Sequence, residues 1–183
     1  MNERLRPLRV AEYVALARLG VFDAERVELI RGRVVSLAPP SEAHERSVEQ
    51  VNELLVRTFG RWASVRPGCL IDAAEDSMPE VDFALVPSAP IPPPHPRSAL
   101  LLIEVAEHSL RFDRLVKAPL YAEGGSPEYW IVNLVQAQLE VFREPKGGHW
   151  HEHFALTAAE SICPVSFPAV TLALASLLGP LRG

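Results

Sequence analysis

Lysine is nearly missing from this chain: Lys117 and Lys146 stand against sixteen arginines. Cysteine is as scarce. Cys69 and Cys163 lie far apart and match no ligand spacing such as C-x-x-C, so they read as buried apolar fillers in a reducing compartment rather than a disulfide framework. No window reaches ~18 uninterrupted apolar residues. The opening stretch "MNERLRPLRVAEYVALARLG" has neither an apolar h-region nor a small-residue cleavage site. The expectation is a cytoplasmic chain with no membrane span. G-x-S-x-G, G-x-x-x-x-G-K-[ST] and G-x-G-x-x-G are all missing, which removes the usual supports for an elbow-type hydrolase, a phosphate-loop protein or a dinucleotide binder. The net charge of −5 argues against coating nucleic acid by bulk electrostatics, though not against an enzyme that holds phosphates locally. Few Asn and Gln with 17 Pro fit a GC-rich genome and are compatible with a thermophilic host.

What is present is an ordinary globular composition, 48% hydrophobic over 183 residues, long enough to bury a core as one domain over residues 1–183. "PLRVAEYVALARLG" spaces Val10, Tyr13, Val14 and Ala17 as a helix ending at Gly20. "RVELIRGRVVSLAPP" predicts a hairpin turning at Arg31 and Gly32. Ser41 is placed to cap an amphipathic helix running through Val48, Val51, Leu55 and Phe59. Strands follow at "WASVRPGCLID", "PEVDFALVP" and "ALLLIEVAE", with a Pro-rich loop "SAPIPPPHPRS" before the last. "SLRFDRLVKAPLYAEGG" predicts a helix that Pro119 bends just after Lys117. "PEYWIVN" and "QLEVFRE" predict a second hairpin, "HWHEHFAL" a further strand and "VTLALASLLG" a terminal helix. The order gives an α/β (α+β) fold around a mixed sheet.

Two of these strands carry an acid inside an apolar run: Asp82 in "VDFALV" and Glu104 in "LLLIEVA". Alternation puts Asp82 on a face with Ala84 and Val86, and Glu104 on a face with Leu102 and Ala106. An unpaired buried carboxylate costs several kcal/mol, so each needs a cation, donors or a wet cleft. Side by side on adjacent strands, the two would offer hard oxygen ligands to Mg²⁺ or Mn²⁺. Each could equally sit at a strand end or against an arginine. Lys117 follows Asp113 by four residues, the spacing of an ordinary surface pair. In a chain that uses Arg almost everywhere else, its retention points to a specific role. His149, His151 and His153 share one face if extended, a spacing open to a transition metal or to a plain exposed edge. His95 has no evident partner, and His108 lies near enough to Glu104 to border a cleft.

In order along the chain, "VELIRGRVV", "PPSEAHERSV", "PEVDFALV", "LLIEVAEHS", "DRLVKAPLYAEGGSPEYWIVN" and "LEVFR" closely resemble the Uma2 family of restriction-endonuclease-like proteins, which is similar to the PD-(D/E)XK nuclease superfamily. The resemblance runs from about Leu8 to Arg143. It implies a restriction-endonuclease-like central mixed sheet flanked by helices, and metal-dependent cleavage of DNA phosphodiesters with Mg²⁺ or Mn²⁺. It places the superfamily aspartate at Asp82 and the second acid at Glu104. Ala106 stands where the superfamily lysine would be, and Lys117 on the following helix substitutes for it, as in other Uma2-like sequences. Glu28 matches the family's early glutamate, a further metal ligand or outer-shell group, although on its short strand an outward-facing acid would be ordinary. His44 matches the family's histidine, although on its helix face a packing role is also open. Arg111 and Arg114 could contact phosphates or form a solvated face. A homodimer is expected because cutting both DNA strands favours two-fold symmetry. The alternative is a non-catalytic binding or scaffold protein that keeps the fold.

Overall fold

The computed structural model describes residues 6–89 and 93–178; both chain ends and part of the Pro-rich loop lie outside it. Helix α1 (Val10–Arg18) opens with Glu12 accepting from the Arg9 amide, a reciprocal cap that satisfies a free N–H. Strands β1 (Val27–Ile30) and β2 (Arg33–Ser36) form the expected hairpin. Arg31 and Gly32 turn it at φ +49° and +72°, the pattern that matches strand twist. Gly32 has a second reason to be glycine: a Cβ there would fall 2.2 Å from the Pro7 Cβ. Helix α2 (Glu42–Phe59) starts where Ser41 Oγ accepts from the His44 amide.

The main sheet has the order β3 (Ala63–Leu70), β4 (Glu80–Pro87), β5 (Leu101–Ala106), β6 (Glu128–Asn133), β7 (Gln138–Lys146) and β8 (His149–Thr157). All neighbours run antiparallel except β5 and β6, which are parallel. A parallel pair needs a crossover. Here it is helical: α3 (Leu110–Phe112), a π-helical turn (Asp113–Lys117) and α4 (Ala118–Glu123). The period-2 pattern sorts the strand residues between two cores. One face packs Phe83, Ile103, Trp130 and Val141 under Val51, Leu55 and Phe59 of α2. The other packs Ala84, Leu102, Tyr129 and Ile131 under Ala118, Leu120 and Tyr121 of α4.

Three expectations need correction. The helix through Lys117 is not regular, since a π-turn occupies Asp113–Lys117. Pro119 has no N–H to return to Leu115, and the chain widens into the π-turn instead. The terminal segment is helical only in its second half. Leu172–Ala173 forms strand β10 with β9 (Ser161–Ile162), and α5 spans Ala175–Leu178. Cys69 is buried as expected, but Cys163 is exposed just past β9.

Candidate active site

Strands β4 and β5 pair at Leu85–Leu101, Ala84–Leu102 and Phe83–Ile103, and there the ladder stops. One register position further on stand Asp82 and Glu104. Their carboxylates take over the backbone donors that the parted strands release. Val105 N–H donates to Asp82 Oδ2 at 2.7 Å, and Asp82 N–H donates to Glu104 Oε2 at 3.3 Å. The acids therefore interrupt the apolar runs where the sheet splays, and each fixes the other's strand. The split opens into a pocket of about 290 Å³ walled by the Leu37–Ser41 linker, the Glu107–Ser109 linker and Phe112. Asp82, Glu104, Lys117, His44 and Asp113 all line it.

The π-turn aims Asp113 and Lys117 inward together, and both are buried. Such wide turns favour functional sites because one extra residue redirects the side chains. Lys117 Nζ donates to the Glu80 carbonyl at 2.6 Å and to Glu104 Oε1 at 3.0 Å. It stands 3.6 Å from Glu28 Oε2. Tyr121 Oη donates to the same Glu104 oxygen at 2.9 Å. His44, from the first turn of α2, puts Nε2 3.4 Å from Asp82 Oδ2. Ser109 Oγ donates to Asp113 Oδ2 at 2.6 Å.

The electrostatics follow from one count: Glu28, Asp82, Glu104 and Asp113 share a single buried ammonium. Burial lowers the Lys117 affinity for its proton, but Glu104, Glu28 and Asp113 outweigh it and hold the amine above its ordinary value. Glu104 is pushed well above the carboxylate range by burial, with Asp82 and Asp113 adding to it against Lys117. Burial pushes Asp113 up to about 6. Asp82 is held below its usual range because His44 and the Val105 amide outweigh burial. Asp82 in turn raises His44.

All five expected site residues thus come to one region, with different access. Asp82, Glu104, Lys117 and His44 face the pocket. Glu28 does not point outward, as a short polar-edged strand suggested. It is fully buried beyond Lys117, with Oε2 accepting from the Glu80 amide at 3.0 Å. Its Oε1 has no hydrogen-bond partner among the described residues. Asp113 and Tyr121 were not singled out as site residues. Asp113 shared a helix face with Lys117 in the sequence, a signal that a surface pair explained equally well. Arg114 is taken up by Glu140 in a bidentate pair at 2.6 and 2.7 Å, while Arg111 is exposed. His108 lines the pocket. His149, His151 and His153 lie exposed on β8, His153 stacked on Phe142.

No group of three or more His, Cys, Asp or Glu side chains is arranged as a metal cage among the described residues. Mg²⁺ does not need one, since it is held by one or two carboxylates plus waters and substrate phosphate. The donor set fits such a hard cation. Two carboxylates from adjacent strands reach one pocket, and Asp82 Oδ1 makes no hydrogen bond among the described residues. The surplus of buried acids over buried cations favours an added positive charge there.

Comparisons with known proteins bear on the family and the fold. The family model Uma2, described as "Putative restriction endonuclease", matches residues 10–175. A crystal structure of a "putative nuclease belonging to DUF820" from Anabaena variabilis superposes with TM-score 0.73 at 14% identity, covering 96% of this chain and all of that one. The fold is therefore the α/β, restriction-endonuclease-like mixed sheet with flanking helices. The type IIG restriction endonuclease BpuSI shows a fragmentary overlap, with TM-score 0.38 and 18% identity over 61% of this chain and 13% of that one. No curated protein matches. On the match across most of its length, the chain belongs to the Uma2 family.

Proposed function

We propose that this chain is a metal-dependent nuclease that hydrolyses DNA phosphodiester bonds, acting as a cytoplasmic homodimer of single-domain subunits. The observation that carries the reading is the under-neutralised acid cluster at the splayed ends of β4 and β5, open to a pocket. In this reading Asp82 and Glu104 hold Mg²⁺ or Mn²⁺. Such an ion supplies Lewis acidity, making water a stronger acid and offsetting charge on the phosphate.

The chain's own groups divide the remaining work. Lys117, held above its ordinary value by its three acidic neighbours, orients water or neutralises charge developing on the phosphoryl oxygens. Tyr121 and Lys117 together turn the Glu104 carboxylate toward the pocket. His44 keeps Asp82 ionised and aimed, and so acts as a positioning residue. Glu28 stays behind Lys117, holding its charge and fixing the amide of Glu80, the residue whose carbonyl accepts from Lys117. In the family resemblance Glu28 is a third metal-associated acid. Its burial supports an outer role here.

The test is plasmid and single-stranded DNA incubated with Mg²⁺, Mn²⁺ or EDTA, beside Asp82→Ala, Glu104→Ala and Lys117→Ala. Cleavage that needs the ion and falls at least ~10²-fold in each folded variant supports the proposal. Cleavage that survives in the folded Asp82→Ala protein, or none by wild type with either ion, refutes it.

A further inference from the structure

The two edges of the main sheet are built differently. A free edge exposes unpaired N–H and C=O groups, and proteins blunt such edges with proline, bulges or lysine. Edge strand β3 is blunted: Pro67 removes a donor, and Gly68 adopts φ +55° beside it. Edge strand β8 carries no Pro, Gly or Lys over nine residues, and most of them are exposed. Its one neighbour among the described residues is β7. Its only acid is Glu152; His149, His151 and His153 complete its titratable groups. Nothing on β8 therefore carries the run of like charge that repels a second strand.

We propose that β8 is the subunit interface: two copies of this chain join edge to edge through antiparallel β8 strands related by a two-fold axis. Self-pairing is the arrangement a two-fold axis gives a strand, residue i facing j and j facing i. The sequence of β8 suits it. A centre at His153 sets Glu152 across from the partner's Phe154, so the acids do not meet. Phe154 lies exposed on the strand and supplies an apolar cross-strand contact; Trp150 is turned the other way, its indole donating to the Ala118 carbonyl of α4.

The face matters for the site. His153 stands opposite Phe142 on β7 and stacks on it, and Glu140 on the same face is gripped by Arg114 of the π-turn. His153 thus lies on the face that carries the π-turn. A two-fold axis perpendicular to the joined sheet keeps like faces together, so both π-turns lie on one side of it, while the pockets, at the C-terminal end of each β5, fall toward opposite ends of the joined strands. The interface does not rest on the nuclease reading.

The experiment is sedimentation of metal-free and DNA-free protein over a wide concentration range, for wild type and for His151→Lys with His153→Lys, which sets cationic side chains against one another across the two-fold axis. Expected are a wild-type dimer and at least a tenfold weaker association in the variant, about 1.4 kcal/mol, with unchanged circular dichroism. Amide hydrogen exchange on the wild type gives a second readout that needs no variant: β8 amides gain protection as concentration rises through the dimer midpoint, and β3 amides do not. A wild-type monomer at high concentration, a variant dimer as tight as wild type, or protection that appears at β3 overturns the interface. Plasmid cleavage by the folded variant stays a separate matter: nicking without dimer would reject this interface and leave the chemistry standing.

Discussion

Two sets of acids lie in or against the main sheet, and they are treated in opposite ways. Glu128 on β6 and Glu140 on β7 each have their own arginine. Glu128 Oε1 accepts from Arg143 and from the Trp130 indole, both at 2.8 Å, and Oε2 accepts from the Val165 amide. Glu140 takes the fork of Arg114 and the Asn133 amide. Asp82, Glu104, Glu28 and Asp113 instead divide one lysine, with His44 beside Asp82 alone. Glu104, Glu28 and Asp113 are as buried as Glu128 and Glu140, and Asp82 is partly open to the pocket. What separates an acid that holds the fold from one available for chemistry is the number of cations per carboxylate and access to a pocket. Glu140 is accordingly held below its ordinary range, chiefly by Arg114 and Asn133 against the pull of burial. Glu104 is pushed well above it by burial.

The largest effect expected from this contrast is at the shared lysine. Lys117→Met leaves Glu104 and Glu28 buried without their cation and should cost about 3–5 kcal/mol in urea unfolding near neutral pH. Added Mg²⁺ or Mn²⁺ should return part of that loss, since an ion that binds only the folded form stabilises it by mass action. Glu128→Gln should cost less, about 1–3 kcal/mol, because Arg143 keeps the Cys163 carbonyl. No divalent ion should alter that value. An ion-dependent Glu128→Gln would erase the distinction between the two sets.

Asp113 sharpens the comparison through pH. Its folded value of about 6 lies above the 3.8 of an ordinary aspartate, so the folded chain holds the proton more tightly than the unfolded one. Charging Asp113 therefore costs stability above pH 6. That cost is relieved as pH falls through 6 and is gone below about 4. Asp113→Asn should be more stable than wild type at pH 8 by about 1–3 kcal/mol, with the difference shrinking toward pH 5. Paired stability curves would check it, and a constant difference would contradict the surplus of acid. The smallest effect belongs to Arg26, half exposed where it pairs with Glu80 at the pocket rim. Arg26→Ala should change stability by less than about 1 kcal/mol.

Local rules carried most of the fold. The turn at Arg31 and Gly32, the Ser41 cap and the apolar runs of β4, β5 and β6 are decided by neighbours in sequence, and they stand where expected. The same alternation put Asp82 and Glu104 on the face now packed under α4. Long-range packing decided the rest. Glu28 looked like an outward residue between Val27 and Leu29, but the hairpin docks on the start of β4 and buries all four residues of β1. Asp113 and Lys117 looked like a surface pair because four-residue spacing cannot tell an inward helix face from an outward one. The π-turn comes from Pro119 acting on a buried helix, a consequence of tertiary constraint rather than of propensity. The half-helical terminus turned on a partner, β9, that lies in a different stretch of chain.

The central claim is that the surplus of carboxylate at the β4–β5 split is a divalent-cation site. Calorimetric titration of Mn²⁺ into purified protein tests it most directly, with Asp82→Asn, Glu104→Gln and Glu140→Gln as companions. The account predicts binding to wild type and to Glu140→Gln, at least tenfold weaker binding in the folded Asp82→Asn protein, and the same loss in Glu104→Gln. Equal binding in all four proteins, or none in folded wild type, would contradict it.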